Sequence, residues 1–350
     1  MATWDAVWLN DEIDLLVWRI GLLRDVVDHV LVVEGDRFFS GDPKQSTYLA
    51  NVERLTALGV DLHHVIVPLD AVVDTAWDRE NQQRRGMAAA LETLATTGDL
   101  LLVCDVDEVP RPEVVRRLAR ELDRPVRLHL QHLNYFANWA HQAPWRNSAW
   151  AYRHGQAADH RMLWVHLGDT HTSFDGYVED FLPDAGWHLS FLGGADMIRT
   201  KWAAYSHQEY NTRVDRHPGH LERCFRHGTH FQGRAQLRKI SRADLDPHLL
   251  TFELLRPDFF RFEPETSDYA RRSYRSWTWI RRTFTLPERL RLLMDDRPVV
   301  FWATSPGLYL LDRVLTGARR RRQPVVFPVA REMDLSPLGA GADDDTARHG

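Results

Sequence analysis

Asp105, Asp107 and Glu108 close an apolar run, Leu100 to Cys104, with three carboxylates in four residues. A continuous apolar run suits a strand covered on both faces by helices, and Pro110 with Pro112 then stops the ladder and starts a helix. The acids thereby fall at the carboxyl end of a buried strand, the edge where open α/β sheets bind ligands. Alternate residues point the same way, so Asp105 and Asp107 can share one cation while Glu108 faces elsewhere. Carboxylate oxygens combined with substrate phosphates suit Mg²⁺ or Mn²⁺. A lone Asp-x-Asp also fits a solvated acidic turn after a core strand, so the neighbours must decide.

Trp77, Glu80, Asn81, Gln82 and Arg84 fall within little more than two helical turns, and Arg84 could grip a phosphate bidentately. The same set also reads as a solvated helix face. His188, after Gly186 and Trp187, is either a ligand or a satisfied core histidine. Glu34 and Asp36 leave the end of another apolar run as a second carboxylate pair. Arginines beside clustered acids are what a divalent ion and two phosphates would produce, the ion holding a diphosphate leaving group as a Lewis acid.

Positioning these residues requires repeated βα units around a mostly parallel sheet. A strand is predicted near Ala6 to Leu9, then a helix with Ile13, Leu16, Ile20 and Leu23 on one face, which Asn10 can cap. Val30–Val33 and His64–Val67 read as buried strands, and Trp77 to Leu94 as a helix whose Met87, Leu91 and Leu94 face inward. Val114, Val115, Leu118 and Leu122 mark a further helix, and Val126–Leu130 a further strand. Tyr135, Phe136, Trp139, Trp145, Trp150, Tyr152 and Trp164 then crowd one stretch, where they either line a carbohydrate cleft or pack the sheet. Ala195 to Ser206 is predicted helical.

With 350 residues, 44% hydrophobic and 27% charged, the chain has an ordinary globular composition, and its net charge of −5 gives no general attraction to nucleic acid. Two cysteines are too few for a disulfide framework, and no long uncharged apolar run or leader is evident, so a cytoplasmic chain without a transmembrane segment is expected. Residues 1–265 read as the main domain. Residues 266–336 form a basic helical and βαβ-like extension, whose Arg271, Arg275, Arg281 and Arg289 beside Trp277 and Trp279 fit peripheral docking on a membrane or acidic partner. Residues 337–350 read as a disordered tail.

The ordered motifs Asn10-x-Glu12-x-Asp14, Asp25 to Asp28, Val33-Glu34, Phe38 with Gly41 and Pro43, Asp105 to Pro110, and Gly186-Trp187-His188-x-Ser190 resemble glycosyltransferase family 17. That family includes animal enzymes that add the bisecting N-acetylglucosamine to N-glycans, and many bacterial relatives, which this chain is more similar to. The resemblance spans roughly Ala6 to Glu263. It implies a GT-A-like, Rossmann-related α/β fold, a UDP-linked nucleotide-sugar donor, a carbohydrate or glycan acceptor, a divalent metal (Mn²⁺ or Mg²⁺) and inversion at the anomeric carbon. On this resemblance Asp105, Asp107 and His188 are the metal candidates. Glu34, Trp77, Glu80, Arg84, Asp105 and Glu108 are the donor-binding candidates. Inversion needs a base opposite the departing nucleotide, for which Glu209 is nominated, with Asp180 second.

Two other readings stay open. A nucleotidyltransferase would also use strand-end carboxylates and a metal, although no glycine-rich phosphate loop supports it. A carbohydrate-binding or scaffold protein would keep the fold without catalysis.

Overall fold

The computed structural model describes residues 1–146, 149–155, 180–208, 211, 218–231, 236–262 and 331–332. Its elements run β1 (Thr3–Trp8), α1 (Ile13–Leu23), β2 (His29–Gly35), α2 (Val52–Thr56), β3 (Asp61–Val67), α3 (Ala76–Leu94), β4 (Leu100–Asp105), β5 (Glu108–Pro110) and α4 (Pro112–Glu121). They continue with β6 (Val126–Asn134), β7 (Phe136–Ala140), β8 (Trp150–Arg153), β9 (Asp180–Ser190), α5 (Gly194–Ala204), α6 (Pro218–His227), β10 (Arg238–Lys239), α7 (Pro247–Leu255) and β11 (Arg331–Glu332). The chain is thus α/β, with a central sheet flanked by helices.

The sheet order is β10-β7-β6-β8-β4-β1-β2-β3, with β9 branching from β6 to pair also with β5 and β11. β4, β1, β2 and β3 are mutually parallel, as the βα rhythm predicts. Beyond β4 the sheet turns mixed, since β8 runs antiparallel to both β4 and β6, and β7 antiparallel to β6. β9 returns parallel to β6.

Two apolar layers cover the parallel half, because successive strand residues point to opposite faces. Val7, Val30, Val32, Leu102 and Cys104 pack against Leu16, Ile20 and Leu23 of α1 and Val115 and Leu118 of α4. Trp4, Ala6, Leu31, Val33, Leu101 and Val103 pack against Met87, Ala88 and Leu91 of α3. Leu94 lies partly buried at the edge of that second layer.

Helix starts follow local chemistry, with one correction. Asn10 does not cap α1; the N-cap is Glu12, whose side chain makes no capping bond. At α3, Thr75 and Asp78 exchange the reciprocal bonds of a capping box, and α4 and α7 begin with Pro112 and Pro247, where a missing N–H costs nothing. Pro110 does not break the ladder as expected but pairs with Gly186 in β5–β9.

The aromatic stretch is mostly core. Tyr135, Phe136 and Trp139 pack with Trp202, Phe225 and Phe231, whereas Trp150 and Tyr152 join the layer under α3. Trp164 and the basic aromatic segment around Arg271 to Arg291 lie outside the described residues. From the expected extension only β11 is described, and it pairs parallel with β9 at Asp180 and Phe181. Among the described residues, no helix is long and apolar enough to cross a membrane.

Candidate active site

Asp105 ends β4, and a two-residue turn carries Asp107 before Glu108 opens β5. This turn is held from below by an ion pair that the sequence reading overlooked. Arg19 of α1 and Asp5 of β1 are completely buried, with guanidinium nitrogens 2.6 and 2.8 Å from the two Asp5 oxygens. The same guanidinium donates to the carbonyls of Asp105 at 3.1 Å and Glu108 at 2.5 Å. A charged residue in each of two otherwise apolar faces was the available signal, since a buried charge needs a partner.

Glu108 is turned inward, and its role differs from the expected donor contact. It is fully buried, one carboxylate oxygen accepts from the Asp105 backbone N–H at 3.0 Å, and the other accepts from the Trp145 indole. It therefore tightens the acidic turn. Glu34 is likewise turned away from the donor role, because its oxygens are saturated by Ser46, the Thr47 and Tyr48 N–H groups, His64 and Lys44. Burial alone would raise its pKa, but His64, Lys44 and Ser46 outweigh that and bring it down to about 2.

The third component arrives on β9. Its register sets His188 opposite Glu108 of β5 on one side and His132 of β6 on the other. Gly186 makes this approach possible, since a Cβ there would lie 2.1 Å from the Val109 carbonyl oxygen. Arg111 clamps the strand from outside, its guanidinium 4.4 Å over the Trp187 ring and paired with Asp184 and Asp246.

Together these segments surround a cavity of about 460 Å³ at the carboxyl edge of the parallel strands, lined by Trp8, Glu12, Trp77, Glu80, Arg84, Asp105, Asp107, Trp145, His188 and Lys201 among others. Small-molecule sites commonly have this size. Of the residues singled out from sequence, Trp77, Glu80, Arg84, Asp105, Asp107 and His188 meet here. Arg84 lies 2.6 Å from Glu80 and 3.7 Å from Asp105, with its guanidinium 4.4 Å over the Trp8 ring. Glu34 and Glu108 do not line the cavity.

Lys201 of α5 is a further site residue, and sequence spacing gave no hint of it. Its ammonium bridges Asp107 at 2.8 Å and Glu12 at 3.0 Å. Burial would lower its pKa, but Asp107 and Glu12 outweigh burial and hold it well above the usual lysine range. On the other side of Asp107, His188 Nε2 stands 3.7 Å away, and burial followed by the nearby Lys201 charge keeps the imidazole neutral. Asp105 is pushed well above the carboxylate range by burial and by Glu108, with Arg84 opposing. Asp105, Asp107 and His188 are not gathered at one point: Asp105 turns to Arg84 and Asp107 to Lys201. The three-ligand group that is gathered among the described residues lies elsewhere.

Among the described residues, the Trp8 indole N–H, both side-chain polar atoms of buried Asn134 and His188 Nδ1 stand at the cavity wall without a hydrogen bond. Those atoms are open to hydrogen bonds from whatever occupies the cavity.

The nominated bases fare differently. Asp180 starts β9, eight residues before His188 and more than roughly 20 Å away along an extended strand. It is buried against Arg124, so the geometry removes it from the site. Glu209 lies outside the described residues, two positions after His207, which lines the cavity.

A cavity at the carboxyl edge of an α/β sheet, walled by opposed acids and bases, is where such folds place their ligand sites. The family-model comparison is more specific, as glycosyltransferase family 17 matches residues 2–223, and the chain belongs to that family. A search of curated proteins found no match. The chain is therefore a glycosyltransferase, with a sugar donor and an acceptor as its partners.

Proposed function

We propose that this glycosyltransferase is a divalent-metal-dependent, inverting enzyme of GT-A type. It moves N-acetylglucosamine or a related sugar from a nucleotide diphosphate, UDP by preference, to a carbohydrate hydroxyl. The observation that carries the reading is the set of strand-end acids Asp105 and Asp107 facing Arg84 and Lys201 across one cavity.

Carboxylate oxygens with a neutral imidazole form a donor set that suits Mn²⁺ or Mg²⁺. Asp105 is crowded by Glu108, Asp107 and Glu80 with Arg84 as its near cation, so added positive charge fits there. Asp105 and Asp107, with His188, would hold the ion, which when bound supplies Lewis acidity toward the diphosphate. Arg84 provides a planar fork for phosphate oxygens and Lys201 a point charge. Trp8 and Trp77 offer flat apolar faces for the base or the sugar ring, and Asn134 offers an amide to a sugar hydroxyl or N-acetyl group.

In transfer, the acceptor hydroxyl oxygen bonds to the anomeric carbon as the carbon–oxygen bond to the diphosphate breaks. Its proton passes to a base on the far face, the role given to Glu209.

Thermal stabilisation across a panel of nucleotide sugars tests this, because a bound donor stabilises the folded state by mass action. At least one donor is expected to raise the melting temperature with Mn²⁺ present and to lose that effect with excess chelator. Stabilisation untouched by chelator would remove the metal from the reading, and no response to any donor would remove the donor site.

A further inference from the structure

A second ligand-bearing cluster lies on the same sheet, toward the opposite ends of its parallel strands. His29 and Asp61 are in-register partners at the first positions of β2 and β3, and Trp4 of β1 is the next rung beyond His29. His63 follows Asp61 by two residues, so it emerges on the same face. Its neighbour His64 points to the other face and meets Glu34, which shows how strictly alternation sorts the pair.

One oxygen of Asp61 receives both imidazoles, His29 Nδ1 at 2.8 Å and His63 Nε2 at 3.2 Å. The three candidate ligand atoms all lie within 4.8 Å of one another, and among the described residues this is the group of histidines and acids so gathered. The rings are held rather than loose. His29 stacks on Trp4 with centroids 4.3 Å apart, His63 packs on the same indole at 5.0 Å, and the indole N–H is anchored to Asp99 at 3.2 Å. The two histidines are a little under a third exposed and Asp61 more than half, so the cluster is open to solvent.

We propose that His29, Asp61 and His63 form a binding site for a borderline divalent transition metal of the Zn²⁺ type, separate from the catalytic cavity. Two imidazole nitrogens and one carboxylate oxygen match Zn²⁺, Co²⁺ or Ni²⁺, whereas Mg²⁺ and Ca²⁺ prefer all-oxygen sets. Three protein ligands leave outer positions for water. The ring nitrogens that now donate to Asp61 carry their protons; metal binding to those nitrogens moves each proton to the outward ring nitrogen, so a neutral ring loses none overall. The ion would tie β3 to β2, stabilising the sheet where, among the described residues, β3 has no further strand beside it. Trp4 and Trp8 bracket the separation from the cavity, four residues or about 13 Å along β1.

Titration calorimetry and thermal melts with Zn²⁺ alone decide the matter, using wild type, His29→Gln, His63→Gln and Asp107→Asn. The wild type and Asp107→Asn should share a one-equivalent Zn²⁺ site that raises the melting temperature. His29→Gln and His63→Gln should weaken that site at least about tenfold, and the Zn²⁺-induced rise in melting temperature, taken from each variant's own metal-free value, should shrink accordingly because both rings also pack on Trp4. Glycosyl transfer should be unaffected in His63→Gln. Equal Zn²⁺ affinity in wild type and both histidine variants would overturn the proposal, as would loss of the Zn²⁺ site in Asp107→Asn.

Discussion

Arg19 offers the sharpest separation of stability from site geometry. Replacing it by Met leaves the Asp5 carboxylate buried without its partner and frees the carbonyls of Asp105 and Glu108. Breaking a buried pair by removing one partner costs about 3–5 kcal/mol, and each orphaned carbonyl adds about 1 kcal/mol or more. That is a large part of the roughly 5–15 kcal/mol that holds a domain folded. The double variant Asp5→Leu with Arg19→Met removes the stranded charge and should recover most of the loss. It cannot restore the bonds to the acidic turn, so donor binding should stay weak. Urea unfolding followed by circular dichroism gives the first quantity, and a donor-binding isotherm gives the second. A loss below about 1 kcal/mol in Arg19→Met, or a double variant that regains both stability and donor affinity, would refute the claim that Arg19 positions the turn.

Further outcomes follow from the same contacts. Glu34 is held at about 2 against an ordinary value of 4.5, so its contribution of about 3 kcal/mol is present above pH 4.5 and lost as pH falls toward 2. Urea midpoints measured down that window should fall less steeply in Glu34→Gln than in wild type; parallel curves would contradict the assignment. Gly186→Ala forces β5 and β9 apart and should cost about 1–3 kcal/mol and weaken donor binding; an unchanged unfolding midpoint would show that the strands can yield. Lys201→Met leaves Glu12 and Asp107 without their shared cation, so donor affinity should fall while the requirement for Mn²⁺ becomes steeper; unchanged titrations of both would remove Lys201 from the site.

What the chain discloses before folding depends on whether the information is local. β4 announces itself as five apolar residues ending in an acid, and α1 as a periodic stripe, because burial on a repeating geometry leaves a period in the sequence. Asp105, Asp107, Arg84 and Trp77 were legible for the same reason, each sitting at the end of such an element or on one helix. Lys201 and the Asp5–Arg19 pair were not, since their meaning depends on partners 94 and 14 residues away. Glu34 and Glu108 carry the right chemistry at strand ends, yet their hydrogen bonds turn them inward. For the aromatic stretch the packing alternative holds for most of the described rings, while the cavity draws Trp8, Trp77 and Trp145 from three separate segments. The branching of β9 between β5 and β6 is a long-range pairing that no alternation pattern encodes.

The most direct test is transfer itself, measured as sugar release from the stabilising nucleotide sugar in wild type and Asp107→Ala, each with Mn²⁺ and with excess chelator. Mn²⁺-dependent turnover is expected in wild type, abolished by chelator and absent in Asp107→Ala. Full activity of Asp107→Ala, or turnover indifferent to chelator, would contradict this expectation.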